Sequence, residues 1–170
     1  MKRLPIIASI MLLLVLAFPA CEVENCPPNS MTYAHFTLVD QNGKTFKTSD
    51  TLTVIGQTYI QDSLVCDTFI NKENGASSLQ LPLSYNDETR FVIAYRSLDH
   101  RFVGTDTILI KHHNKPYFTN LDCGTMMFYT LTDVQYTHHR LDSLVMTNPN
   151  IDNNEKENIQ IYFTVSTTDE

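Results

Sequence analysis

Basic side chains are scarce in this chain: 12 Lys and Arg stand against 19 Asp and Glu, a formal charge of −7 at neutral pH. Phosphate contacts need a cationic face, so nucleic acid is not an expected partner. No run of about 20 apolar residues, the length a spanning helix requires, occurs anywhere. Helical periodicity is nearly absent, tryptophan is missing, and no nucleophile elbow, zinc-protease helix or phosphate-binding loop can be found. These absences lead us to expect neither enzymatic activity nor a cofactor. What remains is 170 residues, 42% apolar and 18% charged. That composition excludes a wholly disordered chain and suffices for one ordinary domain.

The first residues read as an address. Lys2 and Arg3 precede an apolar stretch, Ile6 to Phe18, of 13 residues. It is too short to span a bilayer, and the acidic stretch that follows ends it abruptly. Phe18 occupies the −3 position where ordinary signal peptidase needs a small side chain, whereas Ala20 followed by Cys21 matches a loose bacterial lipobox. Residues 1–20 are therefore expected to be a lipoprotein signal peptide, and Cys21 the acylated amino terminus. Several acyl chains on one Cys give stable attachment, at about 0.8 kcal/mol per buried methylene. Residues 21–30 would form the acylated Cys and a short stiff tether, and 31–170 a single domain. Losing the leader leaves 10 basic against 19 acidic residues, a charge of −9. Anionic phospholipid repels such a domain, which should stand off the bilayer apart from its lipid.

Three cysteines remain after Cys21. In the series Ile60, Asp62, Leu64, Cys66 the thiol shares phase with two apolar residues, which predicts a buried free Cys66. Cys26 precedes two prolines and Cys123 lies in the turn-like Asp122-Cys123-Gly124. Both are junctions, and a Cys26–Cys123 disulfide is expected in an oxidising envelope.

Period-2 alternation recurs along the chain, as in Ala34-Phe36-Leu38, Leu79-Leu81-Leu83, Phe91-Ile93-Tyr95 and Ile159-Ile161-Phe163. The strands expected are 31–40, 45–55, 58–66, 77–84, 89–96, 104–112, 125–136, 141–147 and 158–166. Asn42-Gly43 and Asn74-Gly75 mark two hairpins. Nine short strands without crossover helices indicate an antiparallel β-sandwich, immunoglobulin-like in the broad sense, with a closed barrel as the alternative. Asp-Ser/Thr-Leu/Ile recurs at Asp50, Asp62, Asp106 and Asp142 as a strand-opening signature.

Histidine pairs are the most suggestive chemical feature: His112-His113 and His138-His139, besides His35 and His100. Imidazole binds transition metals and haem iron. Neighbours on one strand point to opposite faces, so a site would need one residue from each pair, brought together where strand 104–112 ends. The bland reading is polar strand-end residues, and no metal site is expected. Asp152 to Glu157 forms an oxygen-rich loop without the Gly and ligand spacing of a calcium loop.

Cys26-Pro27, the Asp-Thr-Ile strand opening, Leu121-Asp122-Cys123-Gly124 and Glu155-Lys156-Glu157-Asn158-Ile159 together resemble a family of small Bacteroidota lipoproteins of unknown function. The resemblance implies an all-β domain in the cell envelope and supplies no activity. Two functions follow as expectations. The first is a non-catalytic binding or structural module on an outer-membrane-anchored lipoprotein, with a protein or glycan partner. The second is haem or metal scavenging.

Overall fold

The computed structural model describes residues 31–118 and 124–163, and among them every regular element is a strand. Ten strands follow in order: β1 Tyr33–Val39, β2 Thr51–Ile60, β3 Ser63–Glu73, β4 Ser78–Pro82, β5 Glu88–Arg96, β6 Phe102–Phe118, β7 Thr125–Tyr136, β8 Leu141–Met146, β9 Asn150–Ile151 and β10 Ile159–Phe163. They form a four-stranded sheet, β4-β1-β10-β8, and a six-stranded sheet, β3-β2-β5-β6-β7-β9. The period-2 segments place alternate side chains between the sheets. Phe36 and Phe91 meet edge to face there with ring centroids 6.2 Å apart, and Tyr95 meets Phe163 at the same separation. The expected β-sandwich is present, with ten strands in place of nine because the two-residue β9 pairs with Tyr129 and Thr130 of β7.

Several expectations need correction. One pairing is parallel: β1 runs alongside β10, with Phe36 opposite Ile159 and Val39 opposite Tyr162. Asn158 pins this junction, its buried side chain accepting from the His35 amide and donating to the carbonyls of Asn148 and Asn150. Neither Asn-Gly pair makes the expected hairpin. Asn42-Gly43 caps a turn closed on Asp40, after which only a single bridge joins Val39 to Thr45 and the chain crosses to the other sheet. Asn74-Gly75 links β3 to β4, which lie in different sheets. The tight hairpin is β2–β3, turned by Gln61 and Asp62 at φ 47° and 62°. Those angles suit a primed turn that Asn-Gly would have announced. The expected strand 104–112 is also longer, because β6 continues through Pro116 to Phe118 against β7.

Cys66 is exposed, not buried. It keeps phase with Leu64, itself 49% exposed, but not with Ile60: the turn at Gln61 and Asp62 pairs Ile60 with Ser63 and sets Cys66 opposite Gln57, on the other face of the hairpin. β3 is an edge strand whose faces the other sheet does not cover. Cys21, Cys26 and Cys123 lie outside the described residues. Of the four recurrent aspartates, Asp50 and Asp62 directly precede β2 and β3, whereas Asp106 lies inside β6 and Asp142 inside β8.

Candidate functional site

The sandwich presents two ends with different chemistry. At the end where β6 begins, Asp106 stands in phase with Ile108 and Ile110 and is fully buried. One carboxylate oxygen accepts from the Thr137 hydroxyl at 2.7 Å and the His139 amide at 2.6 Å. The other accepts from the amides of Arg140 and Leu141 at 2.7 and 3.1 Å. Burial pushes this carboxyl toward protonation, and the converging donors outweigh burial and hold it below its ordinary value. Four donors fill the acceptor capacity of a carboxylate. Asp106 is therefore the hub on which the β7–β8 turn is folded, with nothing left to offer a substrate. Arg140 continues the cluster to Asp50 at 2.8 Å. Burial, with Asp106 adding to it, drives the Tyr95 hydroxyl far up, so that it stays neutral.

The histidine pairs are not brought together. His112 pairs with Leu131 across β6–β7, whereas the chain reaches His138 and His139 after Thr137 has bonded to Thr107. Thr107 lies five residues from His112 along β6, roughly 17 Å at strand rise. His139 instead lays its ring against Gly104 and contacts the Val103 carbonyl. His138 lies beside Tyr136 and the Asp142 carbonyl. His113 is exposed. Among the described residues, no group of three or more His, Cys, Asp or Glu is placed to hold a metal ion.

His112 is buried in the other half of the molecule. Its Nε2 lies 2.9 Å from the Thr89 hydroxyl and its Nδ1 2.7 Å from Asn114 Oδ1. The Asn114 amide nitrogen donates to the carbonyls of Tyr85 and Asn86. Asn114 therefore faces the ring with its oxygen, so Nδ1 carries the proton and Nε2 accepts from Thr89. Burial lowers the His112 pKa, against the opposing pull of Asn114 and the nearby Asp87 and Glu88 charges. Thr89 also accepts from the Ser84 amide at 2.8 Å. A neutral imidazole thus ties down the loop between β4 and β5. Hydroxyl, imidazole and amide stand in series as in a nucleophilic relay, but Thr89 is buried and its hydroxyl is already engaged.

Above this network lies a cleft of about 360 Å³. Gly56, Ile60, Val65 and Phe69 of the β2–β3 hairpin form one wall, and Leu83 and Tyr85 of the β4–β5 loop face them. Gly56 is required here: a Cβ at that position would collide with the Phe69 ring, which leans on the bare backbone and meets Phe91 edge to face at 6.2 Å. The lining is mostly apolar, with Gln57, Thr58, Asp67, Ser84, Asn86 and Thr89 as polar exceptions. Such a surface can bury apolar groups and fix their orientation through a few hydroxyls and amides. The sequence reading did not find it, because Phe69 and Tyr85 carry no motif and Gly56 looked like a break between strands.

Residues 51–163 match the model of a family of unknown function, DUF6452. The chain belongs to that family. No curated protein and no solved structure matches it. The DUF6452 match spans β2 to β10 and so contains the cleft hairpin, the His112 network and the Asp106 hub, while β1 lies before it.

Proposed function

We propose that this DUF6452 protein is a non-catalytic binding or structural module of the cell envelope, anchored through lipid on Cys21 and acting through the cleft between the β2–β3 hairpin and the β4–β5 loop. The observation that carries this reading is the division of labour among its groups. The polar side chains with catalytic potential, Asp106, His112 and Thr89, are consumed in holding loops, even though Thr89 borders the cleft, while most of the open concave surface is apolar. The charged leader, the short apolar stretch and Ala20-Cys21 support the anchor. The haem or metal alternative draws less support, because β6–β7 pairing keeps His112 and His113 away from His138 and His139.

Metabolic labelling with an alkyne fatty acid tests the anchor. Wild type should be tagged and sediment with membranes, and Cys21→Ser should do neither; equal labelling of both would end the lipoprotein reading. Titration of the purified chain with hemin, zinc, copper and nickel tests the module. Weak, non-saturating signals are expected, whereas saturable submicromolar binding abolished by His→Ala at 112, 113, 138 or 139 would establish the scavenger instead.

A further inference from the structure

Exposed large apolar side chains are unevenly distributed over this sandwich. Of the twelve among the described residues, all but Leu98, Phe102 and Val145 lie at the cleft end: Met31, Tyr59, Ile60, Leu64, Val65, Phe69, Tyr85, Tyr117 and Phe118. Strand register places them together. Ile60 borders the β2–β3 turn, Tyr85 sits in the loop before β5, and Tyr117 and Phe118 end β6, which runs on past its last pairing with β5 at Lys111. Tyr85 and Tyr59 are 76% and 60% exposed. Scattered apolar residues need no explanation, but a concentration at one end marks an interaction surface. Tyrosines beside aliphatic groups are the side chains that settle at a membrane–water boundary.

The second observation is where the chain enters. Met31 lines the cleft, and Thr32 next to it donates to the Met127 carbonyl at 2.6 Å. Nine residues, 22–30, separate it from Cys21, and fully extended they reach about 30 Å. β6 alone, with 17 residues, is about 55 Å long at strand rise. The tether is little more than half that length and starts at the cleft end, so a lipid on Cys21 attaches the domain there. The segment itself is a poor occupant for the cleft, since Glu22, Glu24, Asn25, Asn29 and Ser30 leave only Val23, Cys26 and two prolines to enter an apolar space.

We infer that the cleft end docks on the phospholipid surface to which the protein is anchored, with Tyr59, Ile60, Tyr85 and Phe118 resting at the interface. This rests on acylation of Cys21. Near the cleft end, Asp62, Asp67, Asp87 and Glu88 stand against Arg90 and, on β6, Lys111 and Lys115, and the mature charge is −9. A zwitterionic headgroup is accordingly the surface it accepts, and anionic lipid weakens the docking.

The absence of native tryptophan makes a single introduced one a clean reporter. The full native chain bearing Tyr59→Trp, Tyr85→Trp or Leu98→Trp is reconstituted into phosphatidylcholine vesicles with brominated acyl chains, and the mass of its N-terminal peptide is measured. Emission should be lost at positions 59 and 85 and retained at 98, with less loss when anionic lipid is added. An acylated chain quenched no more at 59 and 85 than at 98 overturns the docking alone. A peptide without acyl mass overturns the anchor, and the docking with it. Blue-shifted but unquenched emission at 59 and 85 would assign the surface to a protein partner and overturn the lipid reading.

Discussion

Asp106 and His112 are both buried titratable groups held in their unusual surroundings by named partners, and each gives stability a pH dependence of predictable sign. Asp106 is charged in the fold with its pKa below the ordinary 3.8. Its contribution is complete above that value and disappears as pH falls through the lower folded one. Asp106→Asn turns a donor toward the Arg140 and Leu141 amides, and should cost about 1 to 3 kcal/mol in urea unfolding at neutral pH. His112 has its pKa depressed below 6.5, so the unfolded chain binds the extra proton first. Stability should fall as pH drops below that ordinary value, and thermal melts of His112→Gln should show a shallower acid slope than wild type, whatever the offset at neutral pH. Cys66, exposed on β3, should react with a thiol reagent in the native protein without denaturant; protection until unfolding would contradict its placement.

Hairpins and edges decide what the individual strands do. Gln61 and Asp62 hold left-handed angles, φ 47° and 62°, which L-residues adopt at a cost of about 1 kcal/mol or more each. Replacing them by Asn-Gly should raise stability by about 1 kcal/mol, read as a higher urea midpoint with an unchanged slope. The strand content was legible in the sequence because period 2 reports the pleat directly, whether or not a strand is covered. Burial was less legible, since phase says which side chains share a face but not what lies over it. At Cys66 the count also ran across the Gln61-Asp62 turn, which pairs Ile60 with Ser63 and so leaves Cys66 on the face opposite to Ile60. The reverse happened at Asp106, whose alternation with Ile108 and Ile110 was available but masked by the recurrent tripeptide. The cleft escaped altogether, because Phe69 and Tyr85 are distant in sequence and only the β2–β5 pairing brings their elements together.

At the scale of the whole molecule, one core is shared by both sheets, and Phe91 stands at its centre with contacts to Phe36 and Phe69. Phe91→Ala should cost about 3 to 5 kcal/mol, measured by denaturant unfolding. Peptide mapping without reductant should find Cys26 joined to Cys123, a bridge whose loss costs about 2 to 5 kcal/mol in a small secreted domain. The parallel seam between β1 and β10 has a consequence in time. Phe36 must find Ile159, a partner that leaves the ribosome long after it, and β1 is the inner neighbour of β4 as well. The four-stranded sheet has no middle until its last strand arrives. A chain arrested before Ile159 is left with β1 paired on one side only, its other edge an open template. Synthesis alone therefore cannot complete this fold piece by piece. The nascent polypeptide leaves the four-stranded sheet unfinished until Ile159 and the strand it opens have been made.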